Sequence, residues 1–343
     1  MSNRVARLFS RSFNRTLRSA PASSRRRLAI ESLEDRRTPA VGAGSLDSTF
    51  DFDGIATAAI GNMTEVNAVA QDSSGRIVAA GSTFNGANWD MMAARFNADG
   101  SLDSTFGIGG IASFDFFGAT EKANALTIDA AGRILLVGST NYDDPFKDFA
   151  LVRFTSTGSL DTSFSGDGWE FDDMNSGGRE NVATSVKLDG LGQIVVGGYT
   201  NSTAGNRFTV ARYFDSGTRD NLFGSMGVAT INMGLGEGSA RALLIDGLDN
   251  IVVVGEAYTG DDYDFGAARL TSNGMLDTSF GVNGTFTKAI GWGNDIATSA
   301  AWDSSGRIVI GGYGLGASGN DFAAVTLETN AVTLEAKPVF ISE

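Results

Sequence analysis

The sequence predicts an all-β protein: a five-bladed β-propeller of four-stranded blades, closed by pairing of its N- and C-terminal strands. Three observations lead there. Two separate signatures each recur five times at one spacing, and each period holds four short strand-like segments. The chain also enters the pattern halfway through one period and leaves it halfway through another.

The first signature is Gly44 to Phe50 (GSLDSTF), with counterparts at Gly100 to Phe106, Gly158 to Phe164, Gly217 to Phe223 and Gly274 to Phe280. Successive Phe residues lie 56, 58, 59 and 57 positions apart, and a Gly follows each by four (Gly54, Gly110, Gly168, Gly227, Gly284). The second signature is an Asp before a turn (Asp72, Asp129, Asp189, Asp246, Asp303) and a hydrophobic run that ends in Gly81, Gly138, Gly198, Gly255 or Gly312. A period near 57 residues suits a propeller blade and is too long for a solenoid coil.

Within a period the first strand alternates, as in Val66 to Ala70, and an Asp-x-x-Gly turn reverses the chain. The second strand is a continuous apolar run such as Ile251 to Val254, the pattern of a strand buried on both faces. Asp90 to Phe96 typifies the third strand and Ile111 to Phe116 the fourth. Pro145 is the sole proline between residues 40 and 337, as expected where most backbone N–H groups enter ladders. The half-units at the two ends complete one another on paper, which predicts a ring closed by residues 54–60 against 321–328 and free of exposed strand edges. The domain reading is a leader at 1–39, the propeller at 40–330 and a tail at 331–343.

Composition removes several chemistries. The chain has no Cys and no His, so disulfides, thiolate or imidazole metal sites and His-assisted nucleophiles are excluded. No Gly-x-x-x-x-Gly-Lys phosphate loop occurs, and no apolar run reaches the length of a membrane helix. Residues 1–37 carry ten Arg and three acids, a charge of +7, which leaves −21 on the rest of a chain whose total is −14. Such a body repels nucleic acid and anionic membranes.

These signatures resemble the delta-60 repeat family, and single units are similar to the NHL repeat. The likeness spans residues 44–327. Arg207, Arg219, Asp249 and Thr326 depart from it where the pattern has Asp, Leu, Gly and Arg. It implies propeller-like repeats in bacterial surface and secreted proteins, without a defined activity. The stretch from Arg25 to Arg36 resembles the R-L-x-[LIV]-E-x-L-E-D-R leader of exported planctomycete-type bacterial proteins. That resemblance implies an extracellular or cell-surface address.

The repeated acids Asp103, Asp161, Asp220 and Asp277 read as structural, because an active site is used once and a scaffold device once per blade. Each is expected to pair with the repeated Arg95, Arg153, Arg212 or Arg269, since an Arg in a half-buried strand needs a carboxylate. Turns between first and second, and third and fourth, strands share one face and are uniform. Loops between second and third strands share the other face with the blade connections, and both vary in sequence. Variable loops on a fixed scaffold are where recognition sits. Trp89, Tyr142, Tyr258, Tyr263 and Trp292 are the candidate ligand-binding residues there, for a glycan or a surface protein. No cofactor is expected. Calcium on Asp261, Asp262 and Asp264 is the sharper alternative for the acids, although no EF-hand spacing is present.

The main functional expectation is therefore a non-enzymatic exported display or binding module. One alternative is a carbohydrate-active enzyme using unrepeated acids such as Asp173, Glu180, Glu237 or Asp295 at the propeller axis. The other is a purely structural ring.

Overall fold

A computed structural model describes residues 44–143, 145–174, 179–203, 205–316 and 319–329, together with the backbone of 337–340. Most of the expected leader, and the tail apart from 337–340, lie outside the described residues. Contacts divide the chain after Leu46; residues 44–46 are exposed turn, and every strand belongs to the unit formed by residues 47–343.

Twenty strands form five antiparallel four-stranded sheets, each in simple sequence order. The first is β1 (Met63–Gln71), β2 (Ile77–Phe84), β3 (Trp89–Phe96) and β4 (Ile111–Phe114). The second is β5 (Glu121–Ile128), β6 (Ile134–Thr140), β7 (Asp148–Phe154) and β8 (Trp169–Asp172). The third is β9 (Asn181–Leu188), β10 (Ile194–Ser202), β11 (Gly205–Tyr213) and β12 (Val228–Ile231). The fourth is β13 (Gly238–Ile245), β14 (Ile251–Tyr258), β15 (Tyr263–Leu270) and β16 (Thr285–Lys288). The fifth is β17 (Ile296–Trp302), β18 (Ile308–Leu315), β19 (Asn320–Leu327) and β20 (Lys337–Phe340). Consecutive sheets pack face to face through the first strand of the later one, giving a β-propeller-like repeat fold. The cores lie between sheets; one joins Val78, Met91 and Phe106 of the first sheet to Leu136 and Val152 of the second.

Closure by terminal strands is corrected. Residues 54–60 form no strand, and the fourth strand of the last sheet is β20, paired to β19 through Ala323↔Phe340 to Thr326↔Lys337. The N-terminal turn is instead engaged at its own first sheet, where the Asp51 amide donates to the Asp99 carbonyl at 2.7 Å. Among the described residues, no strand of the fifth sheet packs extensively on a strand of the first.

The Gly that ends the second signature has a steric cause. Each first strand carries a register irregularity opposite it, which pushes a backbone carbonyl into the space a side chain would need. A Cβ at Gly138 would stand 1.7 Å from the Lys122 carbonyl oxygen, and one at Gly255 would stand 2.0 Å from that of Ser239. The displaced residue then reaches the next sheet: Asn67 Nδ2 donates to the Ala123 carbonyl, Asn124 Nδ2 to Ala183 and Thr184 Oγ1 to Ala240.

The repeated Arg does three jobs. Within its own sheet Arg95 Nε donates to Asp103 Oδ2 at 2.8 Å, and the corresponding Arg153–Asp161, Arg212–Asp220 and Arg269–Asp277 bonds are 2.7, 2.9 and 2.7 Å. Each guanidinium also lies over the signature Phe, 4.5–5.2 Å from the ring centre of Phe106, Phe164, Phe223 or Phe280. Its Nη1 then crosses to a carbonyl of the following unit, at Ser156, Asp215, Ser272 or Thr329. In the fifth sheet Thr326 holds the Arg position.

Burial alone would raise the carboxyl of Asp161, but hydrogen bonds from Ser163 and the Arg153 guanidinium hold it below the usual range. Asp103 and Asp277 are lowered in the same way. Groups with depressed pKa stabilise the fold above the ordinary carboxylate range, and that contribution is lost as pH falls through the depressed values. Acid unfolding should therefore begin below about pH 4, followed by circular dichroism. Arg153→Met leaves the buried Asp161 with only Arg133, 3.8 Å away, for a cation and should cost about 3 kcal/mol in denaturant unfolding. A loss under about 1 kcal/mol would place the pair among weak surface bridges.

Candidate functional site

Three positions meet at every junction between consecutive sheets, on the face with variable loops. They are the start of the third strand, the residue after the fourth strand, and the start of the next sheet's first strand. Within one sheet the ladder puts the first-strand position of one junction in the same row as the third-strand position of the next: Glu121 pairs with Thr140, which pairs with Asp148, and Asn181, Thr200 and Arg207 are related in the same way.

At the first junction all three are acids. Asp90, Asp115 and Glu121 each place a carboxylate oxygen within 4.8 Å of the others. They descend from solvent to interior: Asp115 is exposed, Asp90 half-buried and Glu121 0% exposed. Asn85 Nδ2 donates to both oxygens of Asp90 at 2.9 and 3.1 Å, and the Gly118 amide donates to Asp115 Oδ1 at 2.6 Å. Thr140 Oγ1 lies 3.4 Å from Glu121 Oε1, while Oε2 has no hydrogen-bond partner. Burial first, and the neighbouring Asp115 second, push the Glu121 carboxyl up to about 8. Burial also raises Asp90. Like charges this close do not all ionise together, so the group holds a proton at neutral pH.

The other junctions fill the same places differently. At the second, Asn181 Nδ2 bridges Asp148 at 2.9 Å and Asp173 at 3.2 Å. The third has Arg207, Asn232 and Gly238. At the fourth, Asp295 accepts from the amides of Ile290 and Gly291, a structural cap.

Phe116 to Thr120, the segment that joins Asp115 to Glu121, lines a cleft of about 280 Å³ with Asn141 and Tyr142, and the three acids lie outside its lining. The rings of Phe117 and Tyr142 lie 5.4 Å apart, and Trp169 meets Tyr142 edge-on at 6.1 Å. Phe117 is 71% exposed, so an aromatic surface and an acidic group share one loop.

The remaining candidate residues are scattered. Trp89 has Lys122 Nζ 3.5 Å above its ring, and Trp292 stands almost fully exposed by the fifth sheet. Tyr258 and Tyr263 come together at 5.6 Å, and the Tyr263 hydroxyl donates to Glu237 at 2.7 Å. Asp261 is exposed and Asp262 half-buried, whereas Asp264 is buried and accepts from Thr259 Oγ1 at 2.8 Å. Among the described residues, Asp90, Asp115 and Glu121 are the acids whose oxygens converge, and the Asp261–Asp264 stretch forms no such group. Of the unrepeated acids, Glu180 pairs with Lys147 at 3.2 Å.

The expectation of a non-enzymatic module is corrected by this cluster. It rests on repeated acids being structural, but Glu121 stands where the other junctions have Asn, Gly or a capping Asp. Placing the repeats side by side at these three positions exposes the difference.

A family model described as a domain of unknown function (DUF5122) beta-propeller matches residues 73–106, 132–164, 192–223 and 249–280. No curated protein matches the sequence. An exo-1,5-alpha-L-arabinanase from a bovine ruminal metagenomic library is similar in structure, with a TM-score of 0.42 and 10% identity over 80% of this chain and 95% of that one. A protein of unknown function from Dyadobacter fermentans gives 0.47 and 14% over 75% and 74%. Virginiamycin B lyase from Staphylococcus aureus gives 0.41 and 12% over 80% and 84%. Likenesses this distant carry nothing about substrate or chemistry.

The Glu121 carboxyl has a folded pKa above its unfolded value. Its ionisation therefore opposes folding increasingly from the ordinary carboxylate range up to about pH 8. Glu121→Gln should melt at least about 3 °C above the parent at pH 8, with the gap shrinking toward pH 4, in calorimetry.

Proposed function

We propose that this chain is a carbohydrate-active enzyme that cleaves a glycosidic bond at the first junction. The observation that carries this reading is the convergence of Asp90, Asp115 and the buried, proton-holding Glu121 within 4.8 Å beside an aromatic cleft. Glycoside cleavage needs one carboxyl to protonate the leaving oxygen and one carboxylate to act on the anomeric carbon. Separations near 5 Å favour the double-displacement route with retained configuration.

In this reading the exposed Asp115 attacks the anomeric carbon as the glycosidic C–O bond breaks. The proton stored on Glu121 passes through Asp90 to the leaving oxygen. Water then attacks the Asp115 ester, releasing the sugar with its configuration retained and returning a proton to the pair. Phe117 and Tyr142 stack on the sugar ring, whose apolar face suits aromatic surfaces. The leader resemblance at residues 25–36 supports an address outside the cell, where polymeric carbohydrate is met.

A panel of aryl glycosides and soluble polysaccharides, assayed for new reducing ends, tests the proposal. Asp115→Asn and Glu121→Gln should each lower kcat by about 100-fold or more, and Tyr142→Ala should raise KM. Activity should fall as pH rises through about 8, where Glu121 gives up its proton. No turnover on any substrate, or turnover in either carboxyl variant equal to that of the parent, would overturn it.

A further inference from the structure

The two outer faces of the sheet stack are bare at positions that the internal junctions cover. In the first four sheets the second residue of the third-strand motif is Met91, Phe149, Phe208 or Phe265, each 0% exposed. The following sheet covers it. The Phe149 ring comes within 3.0 Å of the place a Cβ on Gly198 would occupy, and the Phe208 ring within 3.2 Å of that on Gly238. The fifth-sheet counterpart is Phe322, which is 86% exposed.

At the other end Val66 and Val69 are 60% and 69% exposed. The residues at the first of these positions in the later sheets (Ala123, Ala183, Ala240 and Ala297) are at most 1% exposed. At the second position Val186 and Leu243 are buried, and Leu126 and Ala300 half-buried. The inter-sheet hydrogen bond is likewise missing its acceptor. Asn67, Asn124 and Thr184 each donate to a carbonyl of the next sheet, Arg241 turns to Glu256 of its own sheet, and Thr298 reaches the Gly311 carbonyl of its own sheet at 3.4 Å.

We propose that the Phe322 face of one chain docks on the Val66–Val69 face of a second copy, head to tail. The occupant is a second copy because each bare face is the missing half of an interface this molecule already builds four times. Phe322 would pack against Thr64, Val66 and Gly81 of the other chain, and Thr298 Oγ1 would reach the Val66 carbonyl. A contact between two different faces is heterologous, so it adds copies in one direction until the rotation closes.

Analytical ultracentrifugation of the full chain across concentrations tests this. The parent should self-associate, and Phe322→Ser and Val66→Ser, both at exposed positions, should each weaken association at least ten-fold. The chain has no native Cys, so single thiols can be placed cleanly. Phe322→Cys and Val66→Cys proteins should be joined by a short bis-maleimide when mixed, and neither should cross-link alone. A monomer at all concentrations would overturn the proposal. So would association unchanged in both Ser variants, or cross-linking of the Phe322→Cys protein with itself.

Discussion

The guanidinium that leaves one sheet and ends on the carbonyl of the next is the interaction the architecture rests on. Arg95, Arg153, Arg212 and Arg269 each answer three needs at once. The cation neutralises the Asp that closes its own turn, covers the Phe that plugs the turn, and fixes the distance to the following unit. A buried Arg without such partners would be costly, so Arg, Asp and Phe recur together. The steric demand on the Gly that ends each second strand adds a second uniform constraint.

Both devices act on local geometry, and the Arg device sits wholly on the face of tight turns. The opposite face is left free of that duty. There the junction positions carry different solutions to one electrostatic problem: an amide bridging two acids at Asn181, a carboxylate capping amides at Asp295, and three unneutralised acids at Asp90, Asp115 and Glu121. The last sets its acids beside an open aromatic cleft, with a proton held on Glu121 and its Oε2 unpartnered. A scaffold that holds its shape from one side permits such an energetically unfavourable group on the other, which is how functional groups commonly persist in folds.

Much of this is legible from residues alone. The repeat period, four strands per unit, the turn chemistry and the Arg and Asp types at fixed spacing all report local constraints, which sequence records directly. Closure is not legible. Whether residues 54–60 or 337–340 complete the last sheet depends on which segment reaches β19, and both stretches read as extended chain. The acidic group escapes a reading of single motifs, although all three residues lie within 32 positions. Asp90 belongs to a repeated strand motif, Asp115 ends a strand, and Glu121 opens the next sheet, so their meeting is a property of the junction. Tyr142 stands out in the sequence for its variable loop, and that loop does border the cleft.

The most direct test of the account is the titration of Glu121 itself. Carbon-13 labelling of the Glu side chains, with assignment by Glu121→Gln, lets the carboxyl shift be followed from about pH 3 to about pH 10, a span that brackets the ordinary carboxylate range. The account predicts a midpoint near 8 for Glu121, moved downward in Asp115→Asn, where the neighbouring charge is removed. A midpoint in the ordinary carboxylate range, about 4.3, would mean that the junction holds no stored proton, and the chemistry assigned to it would fall.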